Sequence, residues 1–549
     1  MRRRLLCEQR GAISILAALS LVFVIGSTAM TIDIGQATWK KRDLQKTVDV
    51  ISLDAVRAVG DRKPASGCAA KATQFAQEAA DRNEFDYANT ALGNSMTVEI
   101  GVGDAATKTF TVTTNCDAAN AVHVSARTRS DNNFMPGNIG LDTEAYAMMD
   151  GKTTYMLGSK LIAIDSTTSP ILNAVLGDML NGSVNLSVVG YNGLTAGTVK
   201  LGDIWTNLGL GTSSQILNSS VTMGQLLTAA ISALNNQGDA SSVYAATVLG
   251  TLQGQIDQSL HFKFGDILEA ASGEPGDAAN AKMDVLNLIG MAASASNGTN
   301  FVNLSLPITI PGVTSTTMKL SVIEPPVICA GCRVGHTPIH TGQVRMNLDS
   351  TLTTQLNLGF LLPKGTVHLP LYVESAGATG SLLNIDCNVP VSTSTITVRT
   401  TTQPVTAKVG YATDSTLNDP TVSADVRAGN IVSVAGLVNV TGTATSTMAG
   451  GVTDLLLQLY QTLTAGSAST SLSTGLLSSL ALTVQILGGA LNVTTVTNNV
   501  LAILNPVLTT IDSTLLTPIK KALGSLGISL GAADVTNMDE SCTGRRLIG

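Results

Sequence analysis

One run of residues constrains this chain more than any other feature, because no charged side chain occurs between residues 11 and 32. Arg10 precedes the run and Asp33 follows it. As an α-helix the run would be about 33 Å long, since each residue adds about 1.5 Å. The hydrocarbon core of a bilayer is about 30 Å thick. The sequence therefore predicts a single transmembrane helix over residues 11–34.

The charges on either side of this run predict its orientation. Four arginines precede it, at Arg2, Arg3, Arg4 and Arg10. Positive charge beside a span favours the cytoplasmic side, although the later cluster Lys40, Lys41 and Arg42 weakens the asymmetry. We expect residues 1–10 in the cytoplasm, a single pass through the inner membrane, and the bulk of the chain in the periplasm.

Signal cleavage is the alternative to a retained helix. Ser27 and Ala29 are small residues at positions that would suit cleavage after Ala29. The apolar region of a secretory signal usually has about 7–15 residues, which is shorter than the run seen here. The length therefore favours a retained anchor over a cleaved signal.

The composition supports a location outside the cytoplasm. Of 549 residues, 44% are hydrophobic, but only 3% are aromatic and 13% are charged, and 52 are glycines. An average soluble domain carries about 25% charged residues. These values predict an α+β protein with strand-rich extracytoplasmic domains and interspersed amphipathic helices. The net charge of −7 provides no basic surface, so we exclude nucleic acid as a partner.

An apolar stripe follows the predicted span. It consists of Leu44, Val48, Ile51 and Ala55, at four- and three-residue steps. That spacing places the four side chains on one face of a helix. The helix could continue from the membrane to about Val59 as a stalk. The stripe itself is better explained as the core-facing side of a domain.

Three short motifs occur in this N-terminal part: Arg10-Gly11-Ala12-Ile13-Ser14, then Ile32-Asp33-Ile34-Gly35, then Leu44-Gln45-Lys46-Thr47-Val48-Asp49 with Asp54-Ala55. With these motifs the chain resembles TadG-like proteins of the tight-adherence (Tad) pilus-assembly family. Residues 50–53 depart from the family pattern, which prefers small residues there. The resemblance implies a role in building Flp-type adhesive pili at the cell envelope, alongside other pilus-assembly or envelope proteins.

The resemblance extends to about Asp150. A helix is predicted around residues 72–76, and strands are predicted at 96–102, 109–113 and 121–128. Residues 35–150 are therefore expected to form a stalk helix with a small α/β domain. Some members of the family also carry a von Willebrand A domain, whose metal site needs Asp-x-Ser-x-Ser. The nearest match surrounds Asp165, but Thr167 replaces a serine and Ser169-Pro170 favours an ordinary helix start.

The remaining chain divides into two predicted regions. Residues 151–425 form a central strand-rich region, with helices at 171–179 and 223–234 and strands at 184–189, 260–264 and 301–308. Residues 426–549 form a helical region ending in a short strand segment. Helical apolar spacing occurs there at 455–463, 476–487 and 500–511. The polar residues Ser478, Ser479, Thr483, Gln485 and Asn492 argue against a second membrane span.

Six of the seven cysteines follow the predicted span: Cys68, Cys116, Cys329, Cys332, Cys387 and Cys542. An even number in an oxidising compartment is what disulfide bonds require. Cys68 and Cys116 form the natural first pair, because both lie in the N-terminal region. The other four can pair in three ways, and the sequence does not choose among them.

The sequence Cys329-Ala330-Gly331-Cys332 is followed by His336 and His340. Four soft ligands so close together could bind Zn²⁺. The spacer between Cys332 and His336 is much shorter than the 12–15 residues of finger-like sites, and no βαβ pattern surrounds the pair as in redox enzymes. A structural disulfide is therefore favoured over a metal site or a redox pair.

No catalytic motif supports an enzyme. The chain contains no Gly-x-Ser-x-Gly, His-Glu-x-x-His or Gly-x4-Gly-Lys sequence. We predict a membrane-anchored, non-catalytic protein without catalytic residues, cofactor or metal, which supports assembly or anchoring of a tight-adherence pilus. The rivals are a secreted or surface-exposed adhesin released by signal cleavage, and an envelope hydrolase without a recognisable motif.

Overall fold

The structure is a computed structural model. It describes residues 8–60, 64, 67–104, 107–116, 118–158, 164–270, 275–297, 302–305, 312–324, 327–341, 343–356, 364–375, 377–387, 393–417, 419, 422–434, 436–466, 472–487, 492–526, 528, 531–542 and 544–548.

The α-helices of these residues are α1 (Glu8–Ala55), α2 (Cys68–Arg82), α3 (Thr168–Met179), α4 (Val188–Ala196), α5 (Leu201–Asn207), α6 (Ser213–Asn218), α7 (Met223–Gln237), α8 (Ala240–Gln253), α9 (Val285–Asn297), α10 (Asp414–Leu417), α11 (Leu472–Ser479), α12 (Val493–Ile511) and α13 (Thr517–Gly524). A 3-10 turn, Val56–Val59, follows α1, and a π-helical turn, Asp512–Leu516, joins α12 to α13.

The strands are β1 (Ser95–Asp104), β2 (Thr109–Val112), β3 (Ala121–Asp131), β4 (Asn138–Met149), β5 (Lys152–Gly158), β6 (Thr198–Lys200), β7 (Val221–Thr222), β8 (His261–Phe262), β9 (Leu268–Ala270), β10 (Lys282–Asp284), β11 (Val302–Ser305), β12 (Val313–Glu324), β13 (Ile328–Cys332), β14 (Ile339–His340), β15 (Gln343–Leu352), β16 (His368–Ser375), β17 (Ala378–Asp386), β18 (Thr395–Thr402), β19 (Val405–Val409), β20 (Tyr411–Ala412), β21 (Val426–Arg427), β22 (Gly429–Val434), β23 (Val438–Met448), β24 (Gly451–Gln458), β25 (Thr462–Ala465), β26 (Ala481–Ile486), β27 (Ala533–Ser541) and β28 (Arg545–Leu547).

The chain divides into two compact units. The N-terminal unit contains Met1–Gly151, Cys387–Thr393 and Ser541–Gly549. The large unit contains Lys152–Asp386 and Ser394–Glu540. The mixture of helices and strands after a long apolar helix confirms the predicted α+β class.

The burial of the side chains of α1 differs between its first and second halves. The side chains of residues 13–28 are all exposed. Further along, a stripe at most 6% exposed consists of Leu44, Val48, Ile51 and Ala55. The stripe packs against α2 and the sheet of the N-terminal unit, which confirms that it is the core-facing side of a domain. The turn Val56–Val59 continues the helical segment, as expected.

That sheet has five strands in the order β2-β1-β3-β4-β28, and all four neighbouring pairs are antiparallel. The three strands predicted before residue 130 are confirmed as β1, β2 and β3. Small side chains at Ala126, Ala145 and Ala147 form part of the face that meets α1 and α2. Strands β3 and β4 pair from Ala121 opposite Met148 to Asp131 opposite Asn138, so they form one long hairpin.

The large unit contains three larger sheets. One has the order β11-β12-β15-β16-β19-β23-β22, with β26 also paired to β23. The second is β25-β27-β5-β13-β9, and the third is β14-β17-β18-β24. Strand β23 buries Val438 and Val440, while Asn439 between them is partly exposed. This alternation is typical of a strand with one face towards a core.

Helices in the large unit have clear end signals. Thr222 and Gln225 form a capping box at the start of α7, which ends before Gly238 at φ 74°. A capping box satisfies two amides at a helix start, and glycine adopts a left-handed φ without steric cost. Helices α3 and α7 confirm the two helices predicted at 171–179 and 223–234.

Of the three strands predicted first in the large unit, one is wrong and two are present in part. Residues 184–189 were expected as a strand, but Ser187 caps α4, where its side chain accepts a hydrogen bond from the Gly190 amide. The strand expected at 260–264 is present only as the two residues of β8. At 301–308 the expected strand is present as β11, and the residues on either side of β11 lie outside the described part of the chain.

The prediction of a helix at 455–463 is also wrong, because the first half of this segment lies in β24. Leu455 and Leu457 are buried, whereas Leu456 is 60% exposed, which is the two-residue period of a strand. At 476–487 the chain leaves α11 after Ser479 and enters β26. The helix expected at 500–511 is confirmed within α12.

Candidate functional site

The candidate site lies in the N-terminal unit, where the exposed part of α1 gives way to the packed part. It consists of Asp33 on α1 and the hairpin tip, which we define as residues 132–137 between β3 and β4. Glycine at position 137 has a φ of 101°, a conformation that side chains other than glycine rarely adopt. The turn at this end of the hairpin therefore depends on Gly137.

Asp33 holds the hairpin tip through its backbone. Its Oδ1 accepts a hydrogen bond from the Asn133 amide at 2.8 Å, and its Oδ2 accepts one from the Met135 amide at 2.9 Å. The Phe134 amide lies 3.3 Å from both oxygens. Hydrogen bonds to a charged acceptor are about twice as strong as neutral ones. One carboxylate thus fixes three consecutive amides and is itself only 3% exposed.

Two further polar contacts align α1 with the hairpin. The Asn133 side-chain amide donates to Gln36 Oε1, and Lys40 Nζ donates to the Arg129 carbonyl oxygen at 3.0 Å. Asp33, Gln36 and Lys40 are spaced three and four residues apart, so they share one face of the helix. The same face continues into the apolar stripe, and α1 is therefore fixed to the hairpin along both its polar and its apolar segments.

Large apolar side chains surround this junction without being covered by protein. Phe134 is 63% exposed and Met135 is 42% exposed, both in the hairpin tip. On α1, Met30 and Ile34 are exposed on either side of Asp33, and Trp39 is 69% exposed. The junction therefore combines a buried carboxylate with an apolar outer surface.

The predicted disulfide cysteines of the N-terminal unit form two pairs in the structure. Cys68 is bonded to Cys116 and Cys387 to Cys542, with Cα–Cα distances of 5.8 Å and 5.7 Å. Cys68 is the first residue of α2. The second pair joins two segments that return to this unit late in the chain, and β28 follows it to complete the sheet beside β4.

In the large unit, Cys329 and Cys332 lie in β13 and are bonded to each other. Gly331 between them has a φ of 61°, which allows the chain to turn so tightly. Both cysteines are fully buried. Of the three pairings that the sequence left open, the structure contains the one with a local Cys329–Cys332 bond.

The two histidines after this pair are placed differently. A ring nitrogen of His336 lies within 4.8 Å of both sulfur atoms, and its Nε2 is 3.3 Å from Glu269 Oε1. His340 is outside that group, on β14, with its Nδ1 3.3 Å from the Thr341 carbonyl oxygen. The structure thus brings together three of the four ligands considered for zinc, and both sulfur atoms of that set form a disulfide.

Asp165 confirms the helix-start interpretation of its segment. Its Oδ1 accepts hydrogen bonds from the amides of Thr167 and Thr168, both at 2.9 Å, before the first turn of α3. Lys521 Nζ donates to its Oδ2 at 3.1 Å. The Thr167 hydroxyl and the other donors around this carboxylate hold its pKa well below the ordinary value. A carboxylate satisfied in this way acts as a helix cap.

Burial raises the pKa values of three acidic groups of the large unit, Asp284, Asp539 and Glu540. Burial raises the pKa of Asp284 to about 7, although its carboxylate accepts hydrogen bonds from the Asn287 amide and side chain at 2.8 Å and 2.7 Å. Burial also raises the pKa of Glu540 to about 7. Asp284 stands directly before α9, so its hydrogen bonds are those of a helix cap.

These features define a class: a mixed helix-and-strand protein that begins with an apolar helix, which is a candidate membrane span or signal sequence. Residues 57–148 match a family model described as Tad-like Flp pilus-assembly, which confirms the resemblance to TadG-like pilus-assembly proteins in this part of the chain. Residues 169–295 match a second model, described as a domain of unknown function. No curated protein and no solved structure matches the chain.

Sequence reasoning missed the junction between Asp33 and the hairpin tip. In the sequence, Asp33 stands out only as the end of an uncharged run and as part of a family motif. The available signal was a lone carboxylate between two isoleucines on an apolar helix, since an acid there needs hydrogen-bond donors. The second signal was Phe134-Met135 in a turn otherwise rich in asparagine and glycine.

Proposed function

We propose that the protein is a membrane-anchored, non-catalytic component that supports assembly or anchoring of a tight-adherence, Flp-type pilus. The observation that carries this proposal is the continuity of α1. Its second half supplies core residues to the unit that contains the Tad-like match, while its first half exposes apolar side chains. The match supports a part in pilus assembly, and the apolar half of α1 supports the anchor.

For the anchor, we propose a single pass through the inner membrane at residues 11–34, with residues 1–10 in the cytoplasm. Residues 35–150, 151–425 and 426–549 would then be periplasmic regions. The arginines before the span support this orientation. Three cysteine pairs at bonding distance support an oxidising compartment, because disulfides persist there and are rare in the cytosol.

For the partners, we propose other pilus-assembly or envelope proteins. Strand β24 lies at the end of its four-stranded sheet and exposes Val452 and Leu456, which are 64% and 60% exposed. An exposed edge strand can accept an extended segment from another protein through main-chain hydrogen bonds. This mode of binding requires neither a cofactor nor catalytic residues.

The test is a deletion of the gene, complemented by two forms of the protein. One form is the full chain, and the other replaces residues 1–32 with a cleavable signal, so that the body is exported without an anchor but keeps Asp33. We expect the deletion to reduce visible pili and surface attachment while growth in liquid culture stays nearly normal. Only the anchored form should restore pili.

Two results would overturn parts of this proposal. Normal pili in the deletion strain, together with loss of a hydrolytic activity, would favour an envelope enzyme. A mature protein that begins at Met30, or full rescue by the unanchored form, would favour the secreted adhesin released after Ala29. N-terminal sequencing of protein taken from the envelope distinguishes the cleaved form from the anchored one.

A further inference from the structure

We propose that the hairpin tip is a second membrane contact, in which Phe134 and Met135 enter the lipid interface beside α1. This inference rests on the proposed anchor and adds to it a lipid-facing surface formed by a loop about 100 residues further along the chain. The partner is a lipid surface, contacted where the hydrocarbon core meets the head groups.

The depth of the hairpin tip follows from its hydrogen bonds. The amides of Asn133, Phe134 and Met135 lie 2.8–3.3 Å from the carboxylate of Asp33. Asp33 is the first charged residue after the uncharged run, so it marks the edge of the hydrocarbon core. The head-group layer on each side of a bilayer is about 5–7 Å thick. The tip therefore lies at the level of this layer.

The hydrogen bonds also make this position energetically acceptable. Backbone amides without partners are costly in the hydrocarbon region, and an isolated carboxylate is costlier still. Here the carboxylate of Asp33 and the three amides of the tip satisfy each other. Of the side chains that the tip leaves exposed, Phe134 and Met135 are large and apolar, whereas Asn133 is polar and donates a hydrogen bond to Gln36.

Lipid is favoured over protein as the partner because the surface is continuous. Phe134 and Met135 lie beside Asp33, whose neighbours Ile32 and Ile34 are 45% and 46% exposed and extend the apolar surface of the proposed span. Trp39 is six residues further along α1, about 9 Å along the axis, and on a different side of the helix. Aromatic residues favour the membrane interface, so Phe134 suits the level of the head groups, whereas Trp39 lies beyond the layer of about 5–7 Å and takes no part in the proposed contact.

The experiment uses tryptophan quenching by brominated lipid, with the full chain reconstituted in phosphatidylethanolamine–phosphatidylglycerol vesicles. The probe variant is Phe134→Trp in a Trp39→Phe background, which leaves Trp205 as a buried constant signal. The matched control is Val112→Trp in the same background, because Val112 is also exposed, at 56%. Val112 lies opposite Gly101, which lies opposite Ala121, about 33 Å along β3 from the tip.

We expect lipids brominated near the carbonyl end of the acyl chains to quench the Phe134→Trp variant several-fold more strongly than the control. Equal, weak quenching of both variants would overturn the lipid contact. A tryptophan at position 134 that is protected from acrylamide but not quenched by lipid would also overturn it, and would indicate a protein partner. Carbonate washing separates this failure from failure of the anchor, because an unanchored protein would leave the vesicles altogether.

Discussion

Within the described part of the chain, two helical segments are long and apolar enough to cross a membrane, but they differ in burial. None of the most apolar stretch of α1 is buried, whereas a third of the most apolar stretch of α12 and α13 is buried. In α1 the residues from 13 to 28 are uncharged and are exposed on every side of the helix. In α12 one side is buried and the other exposes Asn498, Asn499 and Asn505.

Both helices are long and apolar enough to span a membrane, so length and composition do not distinguish a span from a core helix. The distribution of apolar residues around each helix does. The buried side of α12 consists of Val496, Val500, Leu504, Val507, Leu508 and Ile511. Those residues follow three- and four-residue steps, as in a helix that covers a protein core. A helix that is apolar on every side needs an apolar solvent, and for α1 we infer that the solvent is lipid.

The largest expected effect concerns the disulfide that helps to hold the packed half of α1 in a folded unit. Cys68→Ser with Cys116→Ser should destabilise the N-terminal unit by about 4 kcal/mol, since a bond across 48 residues removes much entropy from the unfolded chain. Limited proteolysis should then cut α2, while α12 stays protected.

Cys7→Ser is the matched control, because Cys7 is the one cysteine outside the three pairs, and it should leave protection unchanged. Non-reducing peptide mapping provides a direct check of the bond. Free thiols at both Cys68 and Cys116 in protein isolated from the envelope would contradict this prediction.

The next effect compares equivalent truncations in the two helices. Leu504→Ala should destabilise the large unit by about 3 kcal/mol, because it leaves a cavity in a packed core. Leu21→Ala should leave the unfolding of both units unchanged, since that side chain is 60% exposed and contributes to neither core. Urea unfolding in detergent measures both, and equal losses for the two variants would contradict the distinction.

An arginine introduced at an exposed position of each helix tests whether that helix contacts lipid. Val22→Arg should oppose membrane insertion by about 2.5 kcal/mol, because it places a cation near the bilayer centre. Asn499→Arg, at an exposed position of α12, should leave localisation unchanged. The carbonate-resistant fraction of each variant is the measurement, and release of the Asn499→Arg protein from the membrane would show that α12 also contacts lipid.

The smallest effect concerns the junction between α1 and the hairpin. Asp33→Ala should cost about 2 kcal/mol, because three amides lose a buried acceptor. Asp33→Asn keeps one acceptor oxygen and should lose less. Faster hydrogen exchange at residues 133–135 in the alanine variant would support the junction, and unchanged exchange there would contradict it.

The sequence predicted the N-terminal part of the fold well, because its signals are local. The uncharged run, the stripe from Leu44 to Ala55 and the strands before residue 130 each depend on neighbours in the chain. The short run Leu455-Leu456-Leu457 was misassigned, because a few adjacent apolar residues fit either a helix or a strand. Their alternation became clear only when β24 was seen beside β18.

The candidate site was largely beyond prediction, since its parts are far apart in the chain. Asp33 and Met135 are separated by 102 residues, and nothing in either segment identifies the other. The pairing of Cys387 with Cys542 spans 155 residues and was one of three possibilities. Contacts of this kind depend on how the whole unit folds.

We infer that α1 is the membrane span and that α12 belongs to the folded body outside the cytoplasm. The most direct test fuses a reporter that is active only outside the cytoplasm after Pro64 and, separately, after Gly549. Both fusions are expected to be active. Activity after Pro64 but not after Gly549 would show that the chain crosses the membrane again, and an inactive Pro64 fusion would contradict the orientation of α1 itself.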